Sequence, residues 1–179
     1  MKKTTVLLFL IGLNVFAFAQ QTRFIDDPQN DLKQAKDFYQ KEQYSLAYPI
    51  LKDLQLRQRD AERTSQALDY QEVRYYTIAC ALRQNELAAV QRAKDFIALE
   101  DNSARVQMMN FNLAEYHYRR QDFATAIDLY EKVSIENLTN EEIADMKFHL
   151  GYFFFTAKQY AKAKPMVGGI RQMPMDRNY

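Results

Sequence analysis

From Pro28 to about residue 172 the apolar positions recur at helical spacing, and no convincing run of strict alternation interrupts them. The stretch LAEYHYRRQDFATAIDLYEKV, residues 113–133, shows the pattern at its densest: three tyrosines, a phenylalanine and a histidine with three alanines among them. Breaks fall near Lys41–Gln43, Arg59–Asp60, Asn85–Glu86, Asp101–Ser103, Gln121–Asp122, Glu136–Asn140 and Ala157–Gln159. They predict eight helices, most of twelve to eighteen residues, with a longer one from about Asp60 to Gln84. Start signals agree. Asp27-Pro28 places a cap residue before a proline at the first helical position. Asp122 can cap a helix from Phe123, and Thr139 with Glu142 forms a capping box.

Three segments align with one another. A small residue (Ala35, Ala114 or Gly151) is followed twelve positions later by another (Ala47, Ala126 or Ala163). An aromatic stands nine positions after the first small residue: Tyr44, Phe123 or Tyr160. Apolar groups follow the second: Leu51 and Leu54, Tyr130 and Val133, Val167 and Ile170. A degenerate fourth unit lies between, with Ala79, Leu82, Leu87, Ala93 and Phe96 on its apolar faces. Two antiparallel helices approach closely only where side chains at the crossing are small. Paired small residues therefore mark a crossing, and the rings fill the space where helices splay and where the next pair stacks.

These residues resemble the tetratricopeptide repeat, whose unit carries a leucine and small residue and then a tyrosine on its first helix, and alanine, aromatic and alanine positions on its second. Leu113, Ala114, Phe123, Ala126 and Tyr130 match, as do Leu150, Gly151, Phe154, Tyr160 and Ala163, and Ala35, Phe38, Tyr44, Ala47 and Leu51. The second unit departs in the distance between its helices. The family's first-helix tryptophan is replaced by Asn110 and Lys147, and its closing proline by Leu138 in the third unit. The resemblance implies an all-α, right-handed α-solenoid of about four hairpins, over 28–58, 60–100, 103–138 and 140–172. It also implies a concave groove lined by outward positions of the first helices. These are Leu32, Lys36 and Tyr39, then Met108, Phe111, Glu115, Tyr118 and Arg119, then Phe148, Tyr152 and Phe155. Of these, Tyr39, Phe111, Glu115, Tyr118, Arg119, Phe148, Tyr152 and Phe155 are the candidate partner-binding residues. Several of the rings have an equally good reading as surfaces buried between neighbouring hairpins.

The first nineteen residues read as a secretory leader, with Lys2 and Lys3, an apolar run from Val6 to Phe18 and a small-x-small ending at Ala17-Phe18-Ala19. Cleavage there takes the formal charge from +1 to −1. The apolar run is short for a membrane span. Residues 20–27 read as a lead-in loop. With one cysteine, Cys80, no internal disulfide can form, and its apolar setting makes it a buried filler. The chain looks like the N-terminal part of a long exported repeat protein of the Bacteroidetes type, placed in the periplasm or at the periplasmic face of the outer membrane. KPMVGGIRQMPMDRNY, with two prolines and two glycines, is a poor closing helix, so the last hairpin expects a neighbour and residues 173–179 a frayed end.

Charges of both signs are interspersed, which gives no nucleic-acid footprint. His117 and His149 have no Cys or His at metal-ligand spacing, and Gly168-Gly169 lacks the Lys and Ser/Thr of a phosphate loop. Glu141, Glu142 and Asp145 cluster at a helix start, where the helix dipole accounts for them. No catalytic, cofactor or metal set is assigned. The expected function is a protein-interaction scaffold of the cell envelope that binds a peptide or protein segment. The alternatives are a carbohydrate-handling surface protein, because rings also stack on sugars, and a passive spacer for a further domain.

Overall fold

The computed structural model describes residues 27–60 and 69–171. The predicted leader, residues 20–26 of the lead-in, the link 61–68 and everything after Arg171 lie outside the described residues. The described chain is helical, without strands: α1 (Pro28–Gln40), α2 (Tyr44–Asp60), α3 (Tyr70–Arg83), α4 (Leu87–Leu99), α5 (Ser103–Arg119), α6 (Phe123–Tyr130), a 3-10 turn (Ile135–Asn137), α7 (Asn140–Thr156) and α8 (Tyr160–Arg171). Each helix packs against its sequence neighbour, and the first helices of adjacent pairs also meet, α1 on α3 and α3 on α5.

Local chemistry starts most of the helices. Asp27 accepts from the backbone N–H groups of Gln29 and Asn30 ahead of Pro28, and Asp69 does the same for α3. Asn102 caps α5, Asp122 caps α6, and the Thr139–Glu142 capping box forms at α7.

The second helix of each pair follows the first after three residues, and the four turns are alike. Glu42, Asn85, Gln121 and Lys158 all adopt φ between 56° and 63°. Each donates its N–H three residues back, to Tyr39, Leu82, Tyr118 or Phe155. The next residue donates five back, to Phe38, Ala81, His117 or Phe154. These two bonds satisfy orphan carbonyls at the end of the first helix. Hairpins 1 to 4 are therefore α1–α2, α3–α4, α5–α6 and α7–α8, and the left-handed residue numbers them on one register.

On that register the small-residue crossings appear where expected in three hairpins. Ala35, Ala47, Ala114 and Ala126 are 0% exposed, Gly151 is buried, and Ala163 is 5% exposed. A Cβ on Gly151 would lie 3.0 Å from Val167 Cγ2 and 3.4 Å from Met166 Cβ, so α7 and α8 touch there with no room to spare. Hairpin 2 keeps the same turn as the others. It carries Ile78 and Val90 at the crossing register, and Ala79, Ala81, Ala89 and Ala93, all 0% exposed, make the room instead.

Boundaries differ from expectation in two places. α2 runs through Arg59 to Asp60, and α3 begins at Tyr70 rather than near Asp60. α6 stops after eight residues, and the link behind it is held by α5: Gln107 Oε1 accepts from the Ser134 N–H at 3.1 Å and from Asn137 Nδ2 at 2.8 Å. α8 continues through Pro165, Gly168 and Gly169. Pro165 and Pro49 occupy the same position, sixth in their helices, where each removes the bond its N–H would have made to the carbonyl four residues back, of Ala161 or Ser45.

Two buried clusters hold the pairs together. One joins α1, α2 and α3 around Leu32, Leu51, Leu54, Val73 and Cys80. The other runs from α3 to α7 around Phe96, Met109, Phe111, Leu113, Tyr130 and Leu150. Tyr48 and Tyr76 pack against both.

Candidate binding cleft and ring-bearing face

The polar groups of the first helices form a chain across the hairpins. Tyr39 on α1 donates to Asn112 Oδ1 on α5 at 3.0 Å. Asn112 Nδ2 donates to Tyr75 Oη on α3 at 3.1 Å and to the Met108 carbonyl at 2.9 Å. Asn112 is 1% exposed, so these bonds offset the cost of burying its amide. Lys36 on α1 pairs with Glu72 on α3 at 2.6 Å.

One hairpin further along, the chain opens into a cleft. Its volume is about 480 Å³, and it is lined by Arg83 on α3, Glu115, Tyr118 and Arg119 on α5, Gln121 and Phe123 at the turn, and Asp145 and His149 on α7. Glu115 is its hub. The Tyr130 hydroxyl on α6 donates to Glu115 Oε1, His149 Nδ1 lies 3.0 Å from the same oxygen, and Arg83 Nη1 lies 3.8 Å from Oε2. His149 Nδ1 also lies 2.8 Å from the Tyr130 hydroxyl. The arrangement is consistent if the Nδ1 proton is shared between the carboxylate and the phenol oxygen.

Burial alone would push the Glu115 carboxyl up. Hydrogen bonds from His149 and Tyr130, with the charges of His149 and Arg83, outweigh it and hold the group below the usual carboxylate range. Tyr130 is pushed up by burial first and by the Glu115 charge second. Asp145 moves the other way from Glu115: desolvation at the cleft raises it first, and the Glu115 charge adds to that. Arg119 is held below the usual guanidinium range by desolvation and by the like charge of Arg83. The cleft lining thus combines two guanidiniums, two carboxylates, an imidazole and rings.

The predicted site residues divide. Glu115, Tyr118 and Arg119 come together in the cleft. Tyr118 is half-buried, stacked on His149 and edge-on to Phe123 at 5.3 Å. Arg119 is exposed, and its Nη2 donates to the Leu82 carbonyl at 3.0 Å, tying α5 to α3. Three predicted positions do not offer a free side chain. Phe111 is 1% exposed and packs near Tyr130, so it is a core ring; burial of a side chain that size contributes about 2–3 kcal/mol. Glu115 is 5% exposed and bonded on both oxygens' sides, so it organises the cleft floor rather than projecting from it. Tyr39 is half-buried, bonded to Asn112 and edge-on to Tyr44 and Tyr76. Phe148, Tyr152 and Phe155 are bare, 56%, 50% and 61% exposed, and form one stripe on α7. Phe148 stands edge-on to His149, ring centroids 6.0 Å apart, so the stripe borders the cleft.

Arg83, Asp145 and His149 enter the cleft without having been singled out as binding residues. A signal for Arg83 exists: it stands two residues before the left-handed Asn85, as Arg119 stands two before Gln121. No glycine marks those turns, so the shared register is hidden until the backbone is seen.

No family model, no curated protein and no solved structure matches the chain. Among the described residues no three metal-ligating side chains are grouped, and no helix is long and apolar enough to cross a membrane.

Proposed function

We propose that the chain is a tetratricopeptide-like, right-handed α-solenoid of four hairpins. On this reading it is exported to the bacterial cell envelope and acts there as a scaffold that holds a peptide or protein segment along its first helices. Three observations support the solenoid: the shared turn of all four hairpins, the small-residue crossings, and the packing of first helix on first helix. The binding reading is carried by one observation. The cleft is built from the first helices of three successive hairpins, α3, α5 and α7, which is where a concave groove would lie. Its mixed charges suit register along a chain, and the bare rings beside it supply area for affinity.

Photo-crosslinking tests the proposal. A benzoylphenylalanine in place of Asp145 or Gln121, at the cleft, should trap a protein chain in cells. The same group in place of Asp95, on the exposed side of α4, should not. No protein adduct from the cleft, or equal trapping at both places, would overturn the reading.

A further inference from the structure

The shared register of the turns allows one position to be followed through all four hairpins. Ten residues before the left-handed residue stand Leu32, Tyr75, Phe111 and Phe148, with exposures of 5%, 3%, 1% and 56%. Six before it stand Lys36, Ala79, Glu115 and Tyr152; Ala79 and Glu115 are buried, and Tyr152 is half exposed. Three before it stand Tyr39, Leu82, Tyr118 and Phe155, of which Phe155 alone is exposed. On the second helix, Tyr130 at 2% corresponds to Val167 at 54%. The face that is covered on hairpin 3 is thus repeated on hairpin 4, where it is exposed among the described residues. What covers it on hairpin 3 is a helix: α7 lays His149 on Tyr118 and reaches Glu115 and Tyr130. The bare face therefore has the shape of a seat for a helix.

Its charge is the second observation. From Met146 to Arg171 the chain carries five cations, Lys147, Lys158, Lys162, Lys164 and Arg171, and no carboxylate; the rest of the chain holds 19 cations against 23 carboxylates. Along α8, Tyr160, Lys164, Val167 and Arg171 fall at helical spacing on one side. Tyr160 stacks edge-on against Phe155 at 5.5 Å, so this row adjoins the α7 stripe. Asp145, one turn before Phe148, closes the end of the seat at the cleft, while Lys164 and Arg171 edge its α8 side, and that side selects for acidic residues in a partner.

We infer that the α7–α8 face docks an acidic amphipathic helix of a partner protein. Its apolar side lies on Phe148, Tyr152, Phe155 and Val167, and its carboxylates face Lys164 and Arg171. This rests on the scaffold reading above and names the partner's chemistry, on a face adjoining the cleft.

The test uses three synthetic helical peptides with one leucine stripe and otherwise Glu, Gln or Lys, measured by fluorescence anisotropy against the full chain. The Glu peptide should bind about tenfold more tightly than the Gln peptide at low salt, and added salt should narrow the gap. Lys164→Glu with Arg171→Glu should abolish that preference. Phe148→Ser with Phe155→Ser, both exposed positions, should weaken the Glu and Gln peptides alike while the circular-dichroism spectrum stays unchanged. Equal binding of all three peptides overturns the acidic specificity and leaves the scaffold reading standing. Absence of peptide binding while cleft crosslinks persist overturns this face alone. Absence of both removes the scaffold reading with it. Two further results would assign the face elsewhere and overturn the inference: self-association lost in the Phe148→Ser variant, or Phe148-dependent binding to vesicles of anionic phospholipid without peptide binding.

Discussion

His149 lies flat on Tyr118, ring centroids 3.6 Å apart and planes 20° apart, and the same imidazole reaches Glu115 at 3.0 Å. A stack and a charge-assisted hydrogen bond from one residue thus join hairpin 4 to hairpin 3. This junction also forms the wall of the cleft, so its stability and the cleft's shape are linked.

Replacing Glu115 with Gln leaves the Arg83 guanidinium, 18% exposed, without its carboxylate and removes the best acceptor for Tyr130 and His149. Urea denaturation should show a loss of about 3 kcal/mol, the size expected when one member of a buried pair is deleted. Tyr130→Phe, which leaves Glu115 with its other partners, should lose about 1 kcal/mol.

The depressed Glu115 pKa sets a pH dependence. A carboxyl held lower in the folded chain than in the unfolded one contributes stability that is fully present above the unfolded value, about 4.3, and is lost as pH falls through the folded value. Chemical denaturation at stepped pH should show the wild-type advantage over Glu115→Gln shrinking below about pH 5. Asp145 has the opposite sign: its raised pKa means that ionisation opposes folding as pH climbs. Asp145→Asn should therefore be more stable than wild type at pH 7, and the difference should fade in acid.

Each left-handed turn residue other than Asn85 holds a conformation that disfavours a side chain. Gln121→Gly and Lys158→Gly should each raise stability by about 0.5 kcal/mol, the relief of strain being partly offset by added freedom in the unfolded chain. Asn85→Gly should change little, because Asn tolerates this region. Gln121→Val should destabilise by more than about 1 kcal/mol, since a β-branched residue is least suited to positive φ. Thermal melts of the four variants check the order.

The crossings predict a size limit. Leu in place of Ala126, which is 0% exposed, should lower stability by about 2–3 kcal/mol through overpacking. Gly151→Ala brings a Cβ to 3.0 Å from Val167 Cγ2, but Val167 is 54% exposed and can turn aside. The gain in helix propensity, about 1 kcal/mol, should leave that variant close to neutral. Gly151→Leu should loosen α8, seen as faster amide exchange over Tyr160–Arg171.

Cys80 is 0% exposed, and burial pushes its thiol up to about 12. Both effects suppress the thiolate. Its modification by a thiol reagent at pH 8 should be at least about a hundredfold slower in the native chain than in urea, and should accelerate in any variant that opens the α1–α3 cluster.

Most of the local structure was legible in the chain. Asp27-Pro28, Asp122 and the Thr139–Glu142 pair are short-range devices, and each caps the helix that its neighbours imply. The small residues mark crossings because two rods can touch only where side chains end early. Other features needed contacts from far along the chain. α6 ends early because Gln107, on a different helix, holds the link behind it. Arg83 enters the cleft only because α3 lies beside α5. Phe111 and Phe148 show the division most plainly: they hold the same place in successive hairpins, one 1% and the other 56% exposed. Helical spacing tells which side of a rod a residue occupies. Whether that side meets protein or water depends on the next rod, and that was decided by the packing of whole hairpins.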